Sequence, residues 1–147
     1  MNKILISDPS LRDGNHSVKH KISLSSIERY CKFAEKAKIP VIEVGHGNGL
    51  GASSILIGQS LHFDKDILTT ARKNLQKTKL SVHSIPGIAT IDNDIKPAID
   101  CGVDIFRIGC NSTEIDTIIK QVDYCKKNNV EIHLFYIDNK NLKSFNI

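Results

Sequence analysis

The chain has no tryptophan, one methionine, four prolines and only 5% aromatic residues among its 147. So few aromatics argue against a platform that stacks single-stranded nucleic acid. None of the four cysteines, Cys31, Cys101, Cys110 and Cys125, stands in a C-x-x-C pair, which removes the usual zinc and dithiol motifs. Cys31 and Cys125 fall on apolar helical faces as small buried thiols, and a reducing cytoplasm is the expected compartment. No apolar run approaches the roughly 20 residues that cross a bilayer. One lysine and three apolar residues ahead of Ser7-Asp8-Pro9 are too few for a signal-peptide core. H-x-H, a common metal-ligand pair, occurs nowhere.

What is present is a globular composition, 40% hydrophobic and 24% charged, long enough for one domain with a sizeable core. The net charge of +4 is spread thinly. Its densest clusters are Lys19-His20-Lys21 and Lys126-Lys127, which read as solvated surface, with no nucleic-acid or membrane partner.

Strand and helix signals alternate along the chain. Ile4–Ile6, bounded by Pro9 and Gly14, reads as a short buried strand. A helix follows through Leu24, Ile27, Cys31, Ala34 and Ala37, with Ser25-Ser26-Ile27-Glu28 as a capping box and Pro40 as its stop. Val41–Val44 is a second strand and leads into the loop Gly45-His46-Gly47-Asn48-Gly49-Leu50-Gly51. Ile67, Leu68, Ala71 and Leu75 mark a second helix, Leu80–Ile85 a third strand, and Ile95, Ala98 and Ile99 a short helix with Pro97 in its first turn. Val103–Ile108 is a fourth strand. Ile115, Ile118, Ile119, Val122 and Cys125 then define one helix capped by Thr113-x-x-Asp116, and Val130–Tyr136 is a fifth strand. The class is parallel α/β. Spacing alone leaves a doubly wound five-stranded sheet and part of an eight-stranded barrel both open, a full barrel needing about 250 residues.

In either architecture chemistry sits at the carboxyl ends of the strands. Arg12, Asp13 and His16 follow the first strand. Arg12 can fork onto a carboxylate or enolate, Asp13 can hold a hard divalent cation, and His16 can move a proton near neutral pH. Gly14 is expected to give the turn its freedom. Glu43 ends the second strand, His46 follows it, and Arg107 lies within the fourth. Charges inside apolar strands are costly unless paired or bound to something, so a buried network of Glu43 with Arg107 or Arg12 is the plain structural alternative to a site. His83 reads as a core or layer residue, His20 and His62 as surface. Gly47-x-Gly49-x-x-Ala52 matches the loose dinucleotide fingerprint, but no packed helix is evident after it, and a loop that lets the backbone approach a small substrate is preferred.

Ile6-Ser7-Asp8-Pro9-Ser10-Leu11-Arg12-Asp13-Gly14-Asn15-His16 and Ile42-Glu43-Val44-Gly45-His46-Gly47-Asn48-Gly49-Leu50-Gly51-Ala52-Ser53-Ser54 together resemble the amino-terminal half of 4-hydroxy-2-oxovalerate aldolases, members of a metallolyase superfamily. The resemblance continues through Pro86-Gly87-Ile88 and Phe106-Arg107-Ile108 and covers about residues 3 to 133. It implies a (β/α)8 TIM barrel that cleaves 4-hydroxy-2-oxo acids to pyruvate and an aldehyde with a divalent metal, usually Mn2+. Asp13 would be a metal ligand, Arg12 would bind substrate and stabilise the pyruvate enolate, His16 would move the proton of the 4-hydroxyl, and Glu43 would orient the cluster. His46 would contribute to substrate binding. An acylating aldehyde dehydrogenase is the partner the resemblance implies.

The departures are informative. The family's H-x-H ligand pair lies on a later strand and has no counterpart here, and after His133 the sequence ceases to follow the family. The expectation is therefore four βα units plus a fifth strand of a TIM barrel over residues 1–133, with a divergent tail over 134–147. Such a truncated or split half-barrel would be inactive alone, would self-associate, or would need a complementary barrel half. A non-catalytic α/β module that binds a small anion or a partner subunit, and an acetyl-CoA-condensing relative of isopropylmalate synthase, are the other readings.

Overall fold

A computed structural model describes residues 4–136. Five strands, β1 (Ser7–Leu11), β2 (Val41–Val44), β3 (Lys79–Ser84), β4 (Ile105–Cys110) and β5 (Glu131–Tyr136), form one sheet. All four pairings are parallel and the strands lie side by side in chain order. That order separates the two architectures left open above. A doubly wound sheet reverses direction at a switch point, whereas strands added one after another on the same side are those of a (β/α) barrel. Helices α1 (Leu24–Lys36), α2 (Asp64–Asn74), α3 (Lys96–Asp100) and α4 (Ile119–Lys127) fill the crossovers.

The core follows from the strand sequences. β2 is buried at every position, and Ile42, Leu80, Val82, Phe106 and Ile108 pack in one cluster with Ile27, Cys31, Ile67, Ala71, Leu75 and Ile95 from the helices. Unbroken apolar strands covered by amphipathic helices are what a parallel sheet requires.

Four local expectations are corrected. The first strand is Ser7–Leu11, and Ile4, Leu5 and Ile6 ahead of it are exposed. Backbone pairing decided its position: Ser7, Asp8 and Leu11 register with Val41, Ile42 and Val44, and Tyr30 Oη donates to Asp8 Oδ2 at 2.6 Å. Pro9 is tolerated because it lies where the β1–β2 register shifts, between Asp8 and Leu11. The cap of α1 is Ser23, whose hydroxyl accepts from the Ser26 amide at 3.2 Å, while Glu28 faces Lys32 one turn on. The long helix expected from Ile115 is a 3-10 segment over Ser112–Ile118, interrupted at Glu114, followed by α4, and Ile119 points outward. Asn111 occupies the N-cap position in place of Thr113. Finally, Gly14 has a negative φ and open space where a Cβ would stand, so the turn does not depend on it. β5 matches the expected fifth strand to within one residue, and residues 137–147 of the expected tail lie outside the described residues.

Candidate active site

Leu11 anchors the end of β1 in the core, and the chain turns at once into a 3-10 segment, Asp13–His16. That turn is held from below by Asn15, a buried residue whose Nδ2 donates to the Gly45 carbonyl at 3.0 Å. Asn15 went unremarked in the sequence because a lone asparagine in a turn carries no periodic signal.

Glu43 is buried to 1% exposure at the end of β2 and joins two arginines. Arg12 Nε donates to its Oε1 at 2.7 Å. Arg107, from β4, forks onto the same carboxylate, Nε to Oε2 at 2.6 Å and Nη2 to Oε1 at 3.0 Å. Burial alone would raise the carboxyl pKa, but the hydrogen bonds and charges of Arg107 and Arg12 outweigh it and hold Glu43 below the ordinary carboxylate range. The Arg107 guanidinium also lies 4.8 Å over the Phe135 ring. The buried network weighed as the structural alternative therefore exists, and it is what aims Arg12. Arg12 Nη1 donates to Asp13 Oδ1 at 2.9 Å and to the Gly47 carbonyl at 3.1 Å. Among the described residues its Nη2 meets no protein acceptor, so that edge is open to a ligand.

The loop after β2 is shaped by close contacts. Gly49, at φ +93°, lies so near the His83 carbonyl that a Cβ would stand 2.5 Å from the oxygen, and the Leu50 amide donates to that carbonyl at 2.9 Å. The next helix, α2, begins only at Asp64. The dinucleotide fingerprint fails here, because it requires the helix to open at the glycines. His83 is a buried layer residue as expected, its Nδ1 donating to the Arg107 carbonyl at 2.8 Å.

His46 is fully buried beneath the loop. Its Nδ1 accepts from the Asn48 amide at 3.1 Å and its Nε2 donates to the Gly58 carbonyl at 3.0 Å. With both nitrogens committed to backbone, the ring holds the loop's shape. His20, read from sequence as a surface residue, is buried and stacks on His46 with ring centroids 3.6 Å apart. His16 itself is exposed and stands edge-on to His20 at 5.1 Å. Asp13 is 66% exposed.

No family model matches the chain. Curated relatives do. A 4-hydroxy-2-oxovalerate aldolase of Pectobacterium atrosepticum is 46% identical over 129 residues, 88% of this chain and 38% of that protein. One of Salinispora arenicola is 45% identical over 130 residues, 88% of this chain and 37% of the relative. The chain is homologous to the amino-terminal portion of 4-hydroxy-2-oxovalerate aldolases. It spans a little over a third of the length of these aldolases.

Solved structures agree on the fold. The amino-terminal domain of a candidate aldolase from Bacteroides vulgatus superposes with a TM-score of 0.73 at 21% identity, over 89% of this chain and 44% of that one. The carboxyl transferase domain of Rhizobium etli pyruvate carboxylase gives 0.69 at 14% identity, over 96% of this chain and 26% of that one. The fold is that of consecutive units of a TIM-type barrel.

Kinship with 4-hydroxy-2-oxovalerate aldolases carries the expectation of a divalent metal. Among the described residues no three His, Cys, Asp or Glu side chains converge as a metal site would need. Asp13 is the one exposed carboxylate beside Arg12, and one ligand does not make a site. Residues 4–136 by themselves therefore do not fit the metal. Among them, too, no helix is long and apolar enough to cross a membrane.

Proposed function

We propose that this chain carries part of the active site of an aldolase that cleaves 4-hydroxy-2-oxo acids to pyruvate and an aldehyde. One observation carries the reading. The Gly47 peptide brings the two reacting side chains together: its carbonyl accepts from Arg12, and its Cα lies against the His16 ring, where a Cβ would stand 2.5 Å from the imidazole.

His16 takes the proton of the C4 hydroxyl. The C3–C4 bond then breaks, its electron pair passes to C3 and into the enolate, and the carbonyl of the departing aldehyde forms at C4. Charge develops on the C2 oxygen, where the open Nη2 edge of Arg12 donates to it. Glu43 keeps that guanidinium fixed, so no reorganisation is needed as charge appears. Protonation of the enolate at C3 gives pyruvate. Asp13 is the residue of this chain suited to share a divalent cation with ligands from elsewhere. His46 acts by holding the loop rather than by touching substrate. An acylating aldehyde dehydrogenase that consumes the aldehyde is the partner this reading carries, and the barrel part spans residues 1–133.

Residues 1–147 alone are expected to be silent, since among the described residues Asp13 is the one exposed carboxylate beside Arg12 and no three metal-ligating side chains converge. The test is a chimaera in which residues 4–136 replace the matching portion of the Pectobacterium atrosepticum relative, assayed for pyruvate release from 4-hydroxy-2-oxopentanoate with manganese. Activity that falls by about 10²-fold or more in Arg12→Ala and in His16→Ala is expected. A folded chimaera that binds 2-oxo acids without turnover would instead favour the non-catalytic anion-binding reading.

A further inference from the structure

The three imidazoles His16, His20 and His46 lie in a row, yet the mechanism uses one and the loop is held by another. We propose that His20 is a positioning residue, which by holding the backbone of Gly47 sets the placement of His16 and, across the Gly47 Cα, of Arg12.

Its backbone is committed to that place. Lys19 and His20 both adopt left-handed conformations, φ +52° and +61°, which cost about 1 kcal/mol or more each in non-glycine residues and persist only where the surroundings enforce them. Here the His20 amide donates to the Asn15 carbonyl at 2.7 Å and its own carbonyl accepts from the Leu61 amide at 3.0 Å. The effect is to drive the ring inward beneath the loop. There the Gly47 amide donates to Nδ1 at 3.3 Å, which leaves the ring proton on Nε2. Gly58, at φ +123°, passes so close that a Cβ would stand 2.8 Å from His20 Cδ2. The ring is thus enclosed by His46, Gly58 and Gly47, with His16 across its edge.

Gly47 joins two peptide groups, and both of its backbone polar atoms are then assigned. Its N–H is held by His20, its O receives Arg12 Nη1, and its Cα backs the His16 ring. Loss of the Nδ1 acceptor would free the His46–Gly47 peptide and the Gly47 Cα that backs His16, and would leave the carbonyl that receives Arg12 held on the loop side by the Asn48–His46 hydrogen bond alone. The charged and titratable groups facing His20 are His46, His16 and Lys21, and burial followed by these three cations or would-be cations keeps the ring neutral. A neutral ring is the form that can accept from Gly47.

The inference rests on the aldolase reading only for what Arg12 and His16 do; the positioning itself is tested without turnover. In the full chain, long-range ¹H–¹⁵N spectra at pH 7.5 are expected to show His20 neutral with its proton on Nε2. Asparagine places an oxygen where Nδ1 lies and tolerates a left-handed backbone, whereas glutamine and alanine offer no acceptor there. Gly47 amide exchange should therefore quicken about tenfold or more in His20→Gln and His20→Ala, the loss of one hydrogen bond of about 1.4 kcal/mol, and stay within about threefold of wild type in His20→Asn. In the chimaera, kcat should fall with Arg12 and His16 intact in His20→Gln and recover in His20→Asn. A proton on Nδ1, or Gly47 exchange unmoved by His20→Gln, overturns the proposal. A chimaera without turnover but with the expected exchange pattern overturns the aldolase reading and leaves the positioning role standing.

Discussion

The Glu43 carboxylate is shared: Oε1 accepts from Arg12 at 2.7 Å while Oε2 and Oε1 accept from Arg107 at 2.6 and 3.0 Å. Two guanidiniums therefore meet over one buried negative charge. Glu43→Gln keeps the shape, removes the charge and leaves two cations facing each other. Breaking a buried ion network in this way costs about 3–5 kcal/mol, and urea unfolding of the full chain is expected to show a loss of that size. Arg107→Met, which removes one cation and leaves the Arg12–Glu43 pair, should cost clearly less. Equal losses would mean that Glu43 serves only as packing.

The glycines near the site are not equivalent, and alanine replacements should separate them. Gly49→Ala forces a left-handed φ of +93° on alanine and sets its Cβ 2.5 Å from the His83 carbonyl oxygen, so a loss of about 2 kcal/mol or more is expected. Gly14→Ala meets nothing within 4 Å and needs no positive φ, so its unfolding midpoint should stay within about 0.5 kcal/mol of wild type. A destabilised Gly14→Ala would restore the idea that the turn depends on glycine.

Arg12, Glu43 and Arg107 were legible in the sequence because a charge inside or at the end of an apolar strand must be paired or used, and the strands themselves announced their burial. Helix positions followed from Ile67, Leu68 and Ala71 for the same reason. The first strand was misplaced because Ile4–Ile6 is apolar and Ser7–Leu11 is not, yet edge pairing with β2 follows backbone register. His20 was missed because its burial comes from two consecutive left-handed residues, a conformation that neither lysine nor histidine signals. Strand order was also out of reach, since chain-order and switched sheets share the same alternation of elements.

Both edges of the described sheet, β1 and β5, have one neighbour. Phe135 on β5 is 45% exposed, and a cavity of about 780 Å³ beside β1 is lined by Leu11, Val18, Ile22, Tyr30 and the outward Phe33. Parallel sheets are normally covered on both faces and open edges invite pairing. The 147-residue chain is therefore expected to run larger than a monomer in gel filtration at about 50 μM, and charged substitutions at Phe33 and Phe135 should shift it toward the monomer. A compact wild-type monomer with a cooperative melt would refute this.

Acid should weaken the fold in two steps. His20, His46 and His83 are all held below the ordinary histidine value of 6.5, in each case first by burial. An unfolded chain takes up protons at these groups near pH 6.5 while the folded one resists, so stability is full above that pH and declines as it falls below. Glu43 and Glu35 add a later loss. Glu35 is lowered to about 2, first by the Thr78 amide, against burial, and then by the amides of Lys77 and Gln76, so its contribution is present above about pH 4.5 and lost as pH falls toward 2. Asp64, raised by burial, works in the opposite sense. Urea unfolding at pH 7.5, 6.5 and 5.5 should show the first decline, and His20→Asn, which removes one of the three imidazoles, should make it shallower. Constant stability from pH 7.5 to 5.5 would contradict three buried neutral rings.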